Sequence, residues 1–406
     1  MKQWLVILLA GIVTVMSFPV SADANHQKTR VEVNIWLHGA PDIQPIKDLE
    51  SLVGVKFNGA KWYENWDDPW RPHIPNGYHA NGYIPEMTWQ PMLKQPDGSF
   101  KGVANDDIVA GAYDSYLDTM SAQVKSLPYR LRIAFAAEFN GDWNPWGLGK
   151  VGNTTENHKT SWRHIVNRFK ANGVTNVDWI WTPNVDPFNM TPSYASMYPG
   201  NEYVTYFGLD GYNFSTTNGP YWMSFDQVFQ SSYNQLQAIA QKDVYLIEVG
   251  SVEVDGDKAA WIKDMFEKLE TGYSRIKGIT WWNVAYTQYD MRIQSSEASR
   301  LQFAASVNGT PAAPVAPPAS NPGAAPGKTT QKTTPPPKTE DPAVPTALPD
   351  PADQGFSLPS IVRQLTPDRS TTVVGAAALI LFALTAIFYA VVHTALREPK
   401  NTPPKP

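Results

Sequence analysis

Glu138 follows directly on the apolar run Ile133-Ala134-Phe135-Ala136-Ala137, and Glu248 on the run Val244-Tyr245-Leu246-Ile247. A carboxylate directly after such a run stands where burial disfavours its charged form. Each alone could equally be a structural carboxylate that caps a helix or pairs with an arginine. Two of them at strand ends, amid many aromatics, point to acid–base chemistry. Two carboxyls about 5 Å apart are what retaining glycoside hydrolysis needs: one protonates the leaving oxygen and the other attacks the sugar carbon. The tryptophans fit that chemistry. Of the 15, all but Trp4 lie between Trp36 and Trp282. Their flat apolar faces suit the C–H faces of sugar rings, while sugar hydroxyls need only a few placed polar groups. A single Trp is as readily core as platform. Trp162, Trp179 and Trp261 stand at helix-like or inward positions and read as core.

Other chemistries are excluded by composition. The chain has no cysteine, which removes disulfide scaffolds, thiolate zinc sites and cysteine nucleophiles. Its 406 residues carry 33 Lys+Arg and 38 Asp+Glu, a net charge of −5, so no basic stripe invites nucleic acid. The seven histidines are scattered and never take HExxH spacing. No glycine-rich phosphate loop occurs, and neither a metal nor a cofactor is expected.

The two glutamates must be positioned by regular elements. Apolar or alternating runs occur at 31–38, 55–63, 82–89, 129–138, 177–183, 204–210, 244–249 and 278–283. Helix-like periodicity falls between several of them. One stripe is Val109, Tyr113, Tyr116, Met120 and Val124; another is Trp162, Ile165 and Phe169. Residues 225–241 and 258–270 read as helices before the last two runs. Repeated strand–helix alternation implies a parallel sheet. Eight units favour closure, so the expected fold class is α/β, a (β/α)8 TIM barrel over residues 30–307. In such a barrel the active site lies at the C-terminal ends of the strands, which is where Glu138 and Glu248 fall.

The flanking residues resemble glycoside hydrolase family 26, mainly β-mannanases with some β-glucanases and β-xylanases. Arg132-Ile133-Ala134-Phe135-Ala136-Ala137-Glu138-Phe139-Asn140-Gly141-Asp142-Trp143-Asn144-Pro145-Trp146 is similar to the family's acid/base motif. Trp179-Ile180-Trp181-Thr182-Pro183-Asn184 resembles its Trp-x-Trp-x-Pro-Asn segment, and residues 203–213 its sixth strand. Ile247-Glu248-Val249-Gly250 resembles the nucleophile strand, and Ile279-Thr280-Trp281-Trp282 the eighth. The likeness implies Glu138 as general acid/base and Glu248 as nucleophile, with Tyr212 orienting the nucleophile. It implies Trp281 or Trp282 as the floor under the sugar, Trp143 and Trp146 as stacking platforms, and Asn184 as a further substrate-binding residue. One departure stands out: Ala137 occupies the place of a histidine that precedes the acid/base in the family. That loss removes a polar contact at the cleavage point, so the sugar recognised need not be mannose.

The ends read differently. Residues 1–24 have the charged start, apolar run and small-residue cleavage pattern of a secretory signal. Residues 308–368 are rich in Pro, Ala, Thr and Lys, lack aromatics over most of their length, and read as a disordered spacer. Residues 371–393 carry no formal charge with His393 neutral; about 20 apolar residues span a bilayer as a helix. A short tail, 394–406, would lie inside. The expectation is an exported, membrane-anchored endo-glycosidase with its barrel on the extracytoplasmic side, acting on a mannan-like β-polysaccharide. The alternatives are a hydrolase of glucan, xylan or exopolysaccharide, and a pseudoenzyme that binds carbohydrate without cleaving it.

Overall fold

The computed structural model describes residues 28–186, 188–189 and 191–314. The signal segment, spacer, apolar stretch and tail read from the sequence lie outside these residues. Among the described residues no helix is long and apolar enough to cross a membrane.

Ten strands follow one another as β1 (Glu32–Leu37), β2 (Gly59–Asn65), β3 (Ile84–Gln90), β4 (Met92–Lys94), β5 (Phe100–Gly102), β6 (Leu131–Phe135), β7 (Val177–Trp181), β8 (Tyr206–Asn213), β9 (Val244–Ser251) and β10 (Ile276–Asn283). Eight close into a barrel in the order β1-β10-β9-β8-β7-β6-β3-β2, and β4 and β5 pair as a separate antiparallel hairpin. All neighbours in the barrel are parallel. Each of the eight runs read from the sequence overlaps one barrel strand, and five of the strands extend beyond their runs by one to three residues. The hairpin was not expected.

The helices outside the barrel follow from their apolar stripes and caps. Thr154 opens helix Thr155–Ala171 with a capping box to Asn157, and Ser224 opens Phe225–Ile239 with one to Gln227. Trp162, Ile165 and Phe169 bury against the barrel, as their spacing requires. The stripe from Val109 to Val124 is corrected. Val109 ends a separate helix, Asn105–Val109, and is exposed, whereas Tyr116, Met120 and Val124 belong to Asp114–Lys125. Gly111, at φ 82°, turns the chain between them. Among the described residues between β7 and β8 there are a four-residue helix, Tyr194–Met197, and a 3-10 turn, Asn201–Tyr203.

The main core lies between barrel and helices, where the outward residues of each strand meet the helical stripes. Leu131, Ile133 and Phe135 of β6 face it, as do Trp179 and Trp181 of β7. Inside the barrel the filling is unusually polar. Asn34, Lys61, Glu86, Thr88, Asp210 and Thr280 are all buried there, where branched apolar side chains would be usual. The ends of the barrel domain meet at its N-terminal face. Thr29 N–H donates to Val307 O at 3.3 Å, and the Arg30 guanidinium donates to the carbonyls of Ile276 and Tyr273 at 2.7 and 3.0 Å.

Candidate active site

Glu138 stands just beyond β6, and its N–H donates to Thr182 O at 2.8 Å, continuing the ladder toward β7. Its backbone is left-handed, φ 56°, and so is that of Ala136, φ 48°. For residues with a Cβ such conformations cost on the order of 1–3 kcal/mol each. The surrounding loop holds them. Trp146 donates its indole N–H to Ala137 O at 2.9 Å from a buried position, and Gly102 of β5 lies so close to Pro145 that a Cβ there would strike its carbonyl. Trp146 is therefore a support beneath Glu138. This corrects its expected role as a sugar platform, because its faces are packed in the core.

The Glu138 carboxyl takes three hydrogen bonds. Asn184 Nδ2 donates to Oε1 at 2.5 Å; Trp143 Nε1 and Asn144 Nδ2 donate to Oε2 at 2.9 and 3.3 Å. Asn184 is fixed by a reciprocal pair with Asn140, at 2.8 and 3.0 Å. Trp143 lies flat over Gly141, where an added Cβ would fall 2.4 Å from the ring, so only glycine fits there. Trp143 and Asn184 remain partly exposed at the mouth. Burial, and then the charge of Glu248, push the Glu138 carboxyl up to about 7 against the pull of its three donors.

Glu248 owes its direction to a β-bulge. Leu246 pairs with Leu209 and Glu248 with Asp210, while on the other side Leu246 pairs with Ile279 and Val249 with Trp281. β9 thus carries one extra residue between Leu246 and Val249, and bulges re-aim side chains at such places. Ile247 packs inside the barrel with Ala134, Ile180 and Tyr245. Glu248, next to it, also faces inward. Its Oε1 accepts from the ammonium of Lys61 and, at 2.5 Å, from Tyr63 OH; its Oε2 accepts from Tyr212 OH. Burial of their hydroxyls, together with Glu248's charge, pushes both phenols well up, which keeps them as donors. Tyr212 holds the place the resemblance implied for it. Lys61 and Tyr63 were missed from the sequence. The signal was there: a lysine at an inward position of a parallel strand has nowhere to put its charge except on a partner.

The adjacent tryptophans of β10 part company because successive strand residues face opposite ways. Trp282 faces the mouth and stacks on Trp36, with centroids 5.6 Å apart and 18° between planes; it also packs on Tyr212 at 5.2 Å. Its Nε1 donates to Tyr63 OH at 3.3 Å. Trp281 faces the helical shell, donates to Met291 O at 2.8 Å, and packs edge-on against Trp261 and Phe303. Trp281 is therefore corrected from platform to core. Trp282 sits on the expected face but is only 2% exposed, since Tyr286 and Tyr289 cover it. Trp162, Trp179 and Trp261 are core, as expected. Among the described residues no group of His, Asp and Glu could hold a metal ion.

Residues 105–269 match the sequence profile of glycosyl hydrolase family 26. Endoglucanase H of Acetivibrio thermocellus is 33% identical over 296 residues, which are 71% of this chain and 31% of that protein. The chain thus spans about a third of that relative's length. A β-mannanase of the same family from Bacteroides ovatus superposes with a TM-score of 0.51 at 16% identity, covering 69% of this chain and 88% of that one. GH26C of Muricauda sp. MAR_2010_75 does so with a TM-score of 0.50 at 16% identity, covering 71% and 88%. At such identity these two structures share the fold.

Proposed function

We propose that the chain is a member of glycosyl hydrolase family 26, whose profile residues 105–269 match, and that its barrel mouth hydrolyses internal bonds of a β-linked polysaccharide with retention of configuration. The carrying observation is the pair of buried carboxyls with opposed support: Glu138 is pushed up to about 7, while Glu248 is paired with an ammonium. Environments that split two carboxyls in this way mark the acid and the nucleophile. Glu138 gives its proton to the glycosidic oxygen as Glu248 attacks the anomeric carbon. The leaving sugar departs with that proton, and the other sugar is held as an ester on Glu248. Glu138, now a carboxylate, takes a proton from a water that attacks the same carbon. The ester opens, Glu248 regains its charge, and Glu138 regains its proton.

The substrate we favour is a β-glucan. The motive is the 33% identity to Endoglucanase H over 296 residues, together with Ala137 where the family carries histidine. Mannan remains the second reading, carried by the motif likeness around Glu138 and Trp143. Export by residues 1–24 and membrane attachment by residues 371–393 complete the proposal, with residues 308–368 as spacer. Purified residues 30–307, incubated with a panel of β-glucan, mannan and xylan, test the substrate by product analysis. Release of gluco-oligosaccharides is expected. Cleavage of mannan alone would overturn the glucan assignment, and binding without cleavage of any glycan would establish a pseudoenzyme. Fractionation of cells that express the full chain tests the attachment.

A further inference from the structure

We propose that Lys61 is a positioning residue that sets the acid boundary of the enzyme, by keeping Glu248 charged from inside the barrel. The proposal rests on Glu248 being the nucleophile. Lys61 projects from the middle of β2 and has no exposed surface. Its ammonium donates to Glu248 Oε1 and, at 3.2 Å, to Ile247 O, the carbonyl on the N-terminal side of the same bulge. It therefore grips both the carboxylate and the backbone that aims it.

The other charged and titratable groups around this point are few. Asp210 of β8 is Glu248's register partner, and Glu86 of β3 is that of Lys61. Tyr63, Tyr212 and Glu138 stand on the mouth side, and on the other side Arg132 of β6, the register partner of Glu86, is paired with Glu32. Both carboxyl oxygens of Asp210 and one of Glu86 are buried without a hydrogen-bond partner. The other Glu86 oxygen accepts from Thr280 Oγ1 at 2.9 Å. The ammonium lies in the field of Glu248, Asp210 and Glu86, and it hydrogen-bonds only Glu248. Burial pushes Asp210 well up and also raises Glu86. Burial alone would lower Lys61, but the charges of Glu248, Asp210 and Glu86 outweigh it. Lys61 thus gives the negative charge of the Glu248 carboxylate a direct counter-charge, where Tyr63 and Tyr212 bring only hydroxyls. Removal of the ammonium leaves that charge held by two phenols alone, in a low-dielectric interior. The carboxylate then lacks its counter-ion, and activity is lost from the acid side.

The test is the pH profile of kcat/KM for the parent, Lys61→Met and Lys61→Gln, with each fold checked by its thermal melt. The acid limb of either variant should move up by about one pH unit or more, which is roughly a tenfold loss at a fixed pH on that limb. The loss should recover at higher pH. A uniform loss with the limb unmoved, or no loss at all, would overturn the proposal. Failure of both variants to fold would also overturn it, because Lys61 would then be a residue of the fold. A second readout needs no turnover. In protein labelled with carboxyl-13C glutamate, the Glu248 resonance, assigned by its loss in Glu248→Gln, should titrate at higher pH in the Lys61 variants. A parent that cleaves no glycan would sink the hydrolase reading, while this resonance would still decide the role of Lys61.

Discussion

Glu138 receives its three hydrogen bonds from neutral donors, Trp143, Asn144 and Asn184, whereas Glu248 receives an ammonium and two phenols. The first arrangement steadies a carboxyl without supplying a counter-charge, so burial and its neighbour decide its protonation. The second supplies the counter-charge directly. Their backbones differ in the same sense. Glu138 is aimed by a left-handed residue locked in a loop, and Glu248 by a bulge within a strand. Two identical side chains in one mouth are thus held by different kinds of donor, one set without a counter-charge and one with it.

The severest challenge to this contrast is Glu248→Gln. It keeps the shape and removes the charge, so turnover of every substrate should fall by a factor on the order of 10⁴ or more. Oligosaccharide affinity, measured by calorimetry, should stay near the parent's. Glu138→Gln should cost about 10²–10⁴ on a natural glycan. On an aryl glycoside with a good leaving group it should cost far less, because that group needs little protonation. Equal losses on both substrates would erase the distinction between the two carboxyls.

A smaller effect sharpens the comparison. Because Glu138 must hold its proton to act, kcat/KM should decline as pH rises through about 7. Trp143 donates to Oε2 and thereby favours the charged form. Trp143→Phe should therefore move this basic limb upward while the acid limb stays in place. A joint shift of both limbs would mean that the carboxyls titrate as one unit. The smallest effect on rate is expected from Trp281→Ala. It should lower stability in a denaturant titration by about 3–5 kcal/mol, as large-to-small core changes do. The rate per folded molecule should remain that of the parent. A lost rate at unchanged stability would return Trp281 to the mouth.

The barrel was legible because parallel strands covered on both sides read as apolar runs, and all eight were visible. The glutamates were legible for the complementary reason, each being a charge at the end of such a run. What escaped was short or internal. β4 and β5 have three residues each, too few for a pattern. The turn between them, Gln95-Pro96-Asp97-Gly98, carried a recognisable signal that was passed over. Lys61, Glu86 and Asp210 escaped because a single polar residue inside an apolar run looks like noise until the strands close around it. Trp281 and Trp282 could have been separated by alternation alone. Trp146 could not, since its burial depends on a hairpin that the sequence pattern hid. Nor did the pattern reveal that the described residues of the crossover between β7 and β8 form no long helix.

The hydrogen bond between Thr29 and Val307 has a bearing on how the molecule meets its surroundings. Both ends of the barrel leave from the face where the strands begin, and the glutamates lie on the face where the strands finish. A surface, a second domain or an immobilising support joined at either end would therefore stand behind the cleft. The chain would present its mouth outward like a lamp on its bracket, with approaching polymer unobstructed by whatever holds it.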